Sequence, residues 1–138
     1  MANLTTSREL VSEPGEPPII RISFRGSYPA GSEGNATADA MAAFVREVVA
    51  EAQPAAVVFD LRALTYTWGD AICGIVWPLR DEQGSFRPSC IVAQGRTARA
   101  LGGLVHPPWL FGMAGTTLVQ ALPDALRDLR SRTCREAV

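Results

Sequence analysis

The sequence predicts an α/β domain: a single-layer, mostly parallel sheet of four to five strands with alternating helices. Three observations carry that expectation. Hydrophobic periodicity switches four times from strand-like to helix-like spacing along the chain. Two strand-like segments, "AAVVFDL" and "SCIVAQ", are almost unbroken apolar runs, the pattern of strands covered on both faces of a parallel sheet. The chain has 138 residues, of which 47% are hydrophobic and 20% charged, enough to bury one core without disulfide or metal staples.

Each element follows in order. Residues 1–18 are polar and end in "SEPGEPP", which reads as a tail or a weak edge element. In "IIRISFRG", Ile20, Ile22 and Phe24 alternate with Arg21, Ser23 and Arg25, predicting a strand with one apolar and one polar side. "SYPAGSEGNATAD" has the Gly, Pro, Ser and Asn content of a loop. Met41, Phe44, Val45, Val48, Val49 and Ala52 then form one helical stripe, with Thr37 as the expected N-cap and Pro54 as the stop. After the strand "AAVVFDL", Ile72, Ile75, Val76 and Leu79 return to helical spacing, with Pro78 set to kink or end the helix. "SCIVAQ" is the third strand, and "RTARALGGLV" a helix weakened by Gly102 and Gly103. "HPPWLFGMAG" is an apolar loop, "TTLVQA" the fourth strand, and "LPDALRDLRSR" the closing helix. Strands alternating with helices imply parallel pairing through right-handed crossovers. The domain is expected over residues 19–133, with a short tail at 134–138.

Composition narrows the function classes. Thirteen basic and fourteen acidic residues are interspersed, and no basic stripe with aromatics between the charges marks a nucleic-acid surface. Cys73, Cys90 and Cys134 are scattered without CxxC spacing, which points away from a disulfide framework or a zinc site; Cys73 and Cys90 lie in apolar runs and read as buried thiols. "MANLTTSREL" lacks the basic start and apolar run of a signal peptide, and no apolar run is long enough to span a bilayer. The expectation is a cytoplasmic protein without membrane or nucleic-acid partners, metal or cofactor.

The stretch "LRALTYTWGDAICGIVWPLR" places Trp68, Gly69 and Asp70 where the second strand gives way to a helix. Ligands and partners of open α/β sheets gather at the carboxyl ends of strands. A helix start there offers free N–H groups, so Asp70 is suited to cap it. Trp68 would either pack over the helix start or stand exposed as an interface anchor, a role in which tryptophan is enriched.

At these residues the chain resembles the STAS domains, the fold of bacterial anti-sigma-factor antagonists. "VVFDLRALTYTWGDAI" has the shape of that family's strand-to-helix segment, of the form "VVLDLSGVTFIDSSGL". "SCIVAQGRTARALGGL" and "TTLVQALPDALRDLR" resemble the strand–helix pairs that follow it. The resemblance covers about four-fifths of the chain. It implies a non-catalytic domain binding a regulatory protein, such as an anti-sigma-factor kinase, through Trp68, Gly69, Asp70, Ala71 and Ile72. The family's "Asp-Ser-Ser" triplet falls on Trp68, Gly69 and Asp70, so Asp70 stands where the phosphorylated serine would be and supplies no hydroxyl. A carboxylate there would be a fixed charge, smaller than that of phosphoserine. Thr65 and Thr67 are the neighbouring hydroxyls that could receive phosphate instead. Trp109 and Leu110 offer a secondary interface, and the first strand with the "HPPWLF" loop could support homo-oligomers.

Enzyme readings find fewer supports. His106, the lone histidine, precedes two prolines, and no nucleophile motif surrounds either Cys73 or Cys90. The turn "GRTARALGG" follows a strand, so Arg96 and Arg99 could meet a small anion, but it lacks the P-loop lysine. "RPSCIVAQGRTARALGGL" also resembles the oxyanion turn of crotonase-like acyl-CoA enzymes. The chain is about half the length such a domain usually has and lacks the paired glutamates that chemistry needs.

Overall fold

The computed structural model describes residues 4–105 and 115–136, with side chains in the last segment described up to residue 133. The strands are β1 (Leu4–Leu10), β2 (Ile19–Ser27), β3 (Ala56–Asp60), β4 (Leu64–Thr65), β5 (Ser89–Val92) and β6 (Thr116–Val119). The α-helices are α1 (Asn35–Ala52), α2 (Gly95–Val105) and α3 (Leu122–Glu136), and 3-10 helices cover Gly31–Gly34 and Asp70–Leu79. All strands join one sheet in the order β1-β2-β3-β5-β6, with the two-residue β4 extending the edge of β2. The pairs β2–β3, β3–β5 and β5–β6 are parallel, as expected for the four inferred strands.

This order decides which face each helix covers. The chain steps from β2 to β3 to β5 to β6 in one direction across the sheet, so three crossovers of the same hand place their helices on the same side. One core accordingly gathers Ile22, Phe24, Val57, Phe59 and Ile91 from the strands with Met41 and Val45 of α1, Ile72 and Ile75 of the long 3-10 helix, and Leu101 of α2. After β6 no further strand follows, and α3 folds back on the opposite face. There Ala125 and Leu129 seal a smaller core of Ile19, Ala56, Val58, Cys90 and Val92. Every residue of β3 is buried, which makes it the central strand.

Residues 4–10 form β1, the edge strand of the sheet, paired antiparallel with β2 over its whole length from Leu4↔Gly26 to Leu10↔Ile20; of the two alternatives for this segment, tail or edge element, this is the second. Three expectations are corrected. The first helix is capped at Gly34 rather than Thr37, because the 3-10 turn Gly31–Gly34 feeds directly into it and leaves Thr37 buried inside α1. It ends before Pro54, with Gln53 in the left-handed conformation. The helix expected around Ile72 is a 3-10 helix over ten residues, with Ile72/Ile75 and Cys73/Val76/Leu79 buried at a spacing of three. Pro78 lacks the N–H for either pattern, but in an α-helix its ring would also clash with the carbonyl of Gly74. Lastly, α3 runs to Glu136, so residues 134–136 belong to the helix rather than to a tail.

Candidate functional site

The rim at the carboxyl end of β3 is built from the backbone outward. Leu61 is buried, and the chain then alternates: Leu64 and Tyr66 point into the core while Thr65 and Thr67 face solvent. The loop runs beside the segment leaving β2, held by Gly26 N–H to Ala63 O (3.1 Å), Tyr28 N–H to Thr65 O (2.8 Å) and Gly31 N–H to Trp68 O (3.3 Å). From the other side α2 clamps it. The Thr97 hydroxyl donates to Leu64 O at 3.1 Å and accepts the Tyr66 N–H at 3.4 Å.

Tyr66 is the post under this loop. Its ring meets Tyr28 edge-on at 5.1 Å, and its hydroxyl donates to Gly69 O at 2.7 Å. Burial, with the negative field of Asp70 among the further causes, pushes the phenol well above the usual tyrosine range. It therefore remains a hydrogen-bond donor at any physiological pH. Beneath the same helix start, burial and then Asp70 push the Cys73 thiol up to about 11, so it is protonated and unreactive at neutral pH.

Two glycines let Trp68 lie where it does. Gly31 has φ +67, and a Cβ there would come within 2.7 Å of the Trp68 ring, so the indole rests directly on the bare backbone. Gly69 has φ +131, a conformation that side chains rarely adopt, and this turns the chain sharply into the 3-10 helix. The other side of the indole remains open, and Trp68 is 64% exposed.

The predicted site residues therefore separate. Trp68 and Asp70 are exposed neighbours on the rim, with Gly69 and Ala71 half-buried beside them. Ile72 is wholly buried in the larger core, which corrects its assignment to the contact surface: the tight turns of the 3-10 helix rotate it inward. Asp70 does not serve as a side-chain cap; Gly69 holds the cap position, and among the described residues the Asp70 carboxylate accepts no hydrogen bond. A concavity of about 550 Å³ lies between this rim and α2, lined by Ser32, Asn35, Thr67, Trp68, Asp70 and Leu104. Arg96 and Arg99 are exposed on α2. Trp109, Leu110 and His106 lie outside the described residues. Cys73 and Cys90 are free and buried, as expected.

Three contributors to the rim escaped the sequence reading: Gly31, Tyr28 and Thr97. None carries a local motif, because each acts through partners about 30 to 40 residues away. Trp77 was missed as well. It is 58% exposed and packs against Phe86 at 5.8 Å, with Arg80 over its ring.

No family profile and no curated protein matches the sequence. Among solved structures, an anti-sigma factor antagonist from Mycobacterium paratuberculosis superposes with a TM-score of 0.63 at 24% identity, over 93% of this chain and 95% of that one. An uncharacterised protein with a SpoIIAA-like fold from Shewanella loihica superposes with a TM-score of 0.52 at 14% identity, over 94% of this chain and 95% of that one. The fold is STAS-like. In this STAS-like domain the strand-to-helix rim is the segment that the sequence resemblance singles out, and it carries Trp68 and Asp70. The fold agrees with that resemblance rather than with the crotonase-like one. Among the described residues no helix is long and apolar enough to cross a membrane.

Proposed function

We propose that this STAS-like domain is a non-catalytic module that binds a regulatory protein, of the kind an anti-sigma-factor kinase represents, through Trp68, Gly69, Asp70 and Ala71. One observation carries the reading. A tryptophan with most of its surface in water stands beside a carboxylate that has no ion-pair partner among the described residues, on a rim whose shape is fixed from below by Tyr66, Gly31 and Thr97. An exposed indole costs solubility, and a rigid aromatic anchor next to a charge is the composition of an interface hot spot. Asp70 then acts as a constant negative charge in place of a switchable phosphate, so capture of the partner would not depend on a kinase acting at this position. Thr65 and Thr67, both exposed on the same loop, are the hydroxyls through which phosphate could still reach the rim.

The test is quantitative binding to an anti-sigma-factor kinase of the source organism. Trp68→Ala and Asp70→Lys are each expected to weaken binding by about tenfold or more, while thermal midpoints stay within about 3 °C of the parent. Binding unchanged in both variants would reject the rim as the contact surface.

A further inference from the structure

The second face of the sheet is only half covered, and the uncovered half has a definite chemistry. Along β2 the side chains of Ile19, Arg21, Ser23 and Arg25 share the α3 face, since they alternate with Ile20, Ile22 and Phe24 of the larger core. In register beside them stand Glu9, Ser7 and Thr5 of β1 and Val58 and Asp60 of β3. α3 covers the end near Ile19 and the strands β3, β5 and β6. Beyond its reach lies an open concavity of about 600 Å³, lined by Ser7, Arg21, Ser23, Arg25, Asp60 and Arg62, among others.

The buried acceptor there is already used, and several donors are not. Asp60 is only 8% exposed, and both of its oxygens are taken by Arg62: Nε at 2.9 Å and the backbone N–H at 3.2 Å on Oδ1, Nη2 at 2.7 Å on Oδ2. Burial alone would raise this carboxyl. The Arg62 bonds and charge, with the field of Arg21, outweigh it and hold it below the usual range, so Asp60 stays ionised and locked to Arg62. Arg21 reaches Glu9 at 3.4 Å through Nη2, while its Nε is buried with no hydrogen-bond partner. Arg25 has no ion-pair partner among the described residues, and the paired Ser7 and Ser23 have no side-chain hydrogen bond there. Three guanidiniums face one buried carboxylate and one rim carboxylate. The balance is positive charge with several N–H and O–H donors unspent.

Such a donor surplus recognises an oxyanion: arginine forks match the tetrahedral oxygens of phosphate in pairs, and serine hydroxyls fill the remaining lone pairs. We propose that this open sheet face binds a phosphate group, free or as the ester of a small molecule, held between Arg21 and Arg25 over Ser7 and Ser23. The Asp60–Arg62 pair forms the fixed wall of the site. It lies on the opposite face of the sheet from the Asp70–Leu79 helix, so it stands or falls independently of the protein-binding rim.

Titration of the full chain with inorganic phosphate, and separately with glycerol 3-phosphate, at constant ionic strength tests this by amide chemical shifts. Saturable shifts centred on Ser7, Ser23, Arg25 and Arg62, reduced at least fivefold in affinity by Arg25→Ala, are expected. A tenfold preference for the ester would identify an organic phosphate as the natural occupant, and equal affinities free phosphate. Because Arg25 is exposed, its replacement leaves folding intact; Ser23→Ala, a smaller change, should weaken binding about twofold to fivefold. Shifts that rise linearly without saturating, scatter over all basic residues, or persist unchanged in Arg25→Ala would overturn the proposal.

Discussion

The two faces of the sheet are built on different terms. One is closed from β2 to β6 by α1, the 3-10 helix and α2, because each is a crossover between neighbouring parallel strands and the chain never reverses direction across them. Among the described residues the other depends on α3 alone, which spans part of the sheet and leaves β1 and the outer end of β2 uncovered. The lesson is one of division of labour. The fully covered face supplies most of the stability and delivers the Trp68–Asp70 rim, while the half-covered face keeps polar residues, since among the described residues nothing packs there to exclude them.

The largest effect expected from this comparison is in the larger core. Phe59→Ala should cost about 3–5 kcal/mol in chemical denaturation, since the ring is wholly buried beneath α1 and the 3-10 helix. Leu129→Ala, which opens the smaller core, should cost about 2–4 kcal/mol and loosen α3 first in hydrogen exchange. Equal loosening of both faces in that variant would break the distinction. Next comes the rim: Gly69→Ala forces a side chain into φ +131 and should destabilise by about 1–3 kcal/mol while also weakening partner capture. Tyr66→Phe removes the donor to Gly69 O and should cost about 1 kcal/mol, with altered fluorescence from Trp68.

Acidification separates the faces at the smallest scale. The Asp60 pKa is lowered in the folded state, so its contribution to stability is present above the unfolded carboxylate value of about 3.9 and is lost as pH falls through the folded value. Arg62→Ala should reverse this. With burial no longer opposed by its hydrogen-bonded partner, the folded carboxyl rises above its unfolded value, so it costs stability at neutral pH and that cost is relieved as pH falls. Unfolding midpoints between about pH 3 and 6 should lose this group's acid-side decline.

Much of this architecture was legible from apolar patterning. "AAVVFDL" and "SCIVAQ" betrayed β3 and β5 because a strand covered on both faces has no polar side to show. β1 was not legible as a strand for the converse reason: "LTTSREL" is an edge with only partial cover, so its residues carry no periodic apolar signal. The stripe of Ile72, Ile75, Val76 and Leu79 correctly announced a buried helix; its mix of spacings of three and four suits an α-helix, whereas the segment is wound with three residues per turn. The stripe itself puts Ile72 on the buried side; only the family resemblance grouped it with the contact residues, and its burial sides with the stripe. Trp68 and Asp70 could be placed at a strand end from sequence. The support from Gly31, Tyr28 and Thr97 could not, because it exists only after distant segments meet.

The claim on which the functional account turns is that the segment around Trp68 and Asp70 is the surface a partner protein covers. Amide hydrogen exchange of the chain alone and saturated with its regulatory partner measures this directly. The account predicts slowed exchange concentrated in residues 65–71 and the adjoining turn of α2, with β1 and α3 unchanged. Slowing confined to β1 or α3, with residues 65–71 exchanging as freely as before, would contradict it.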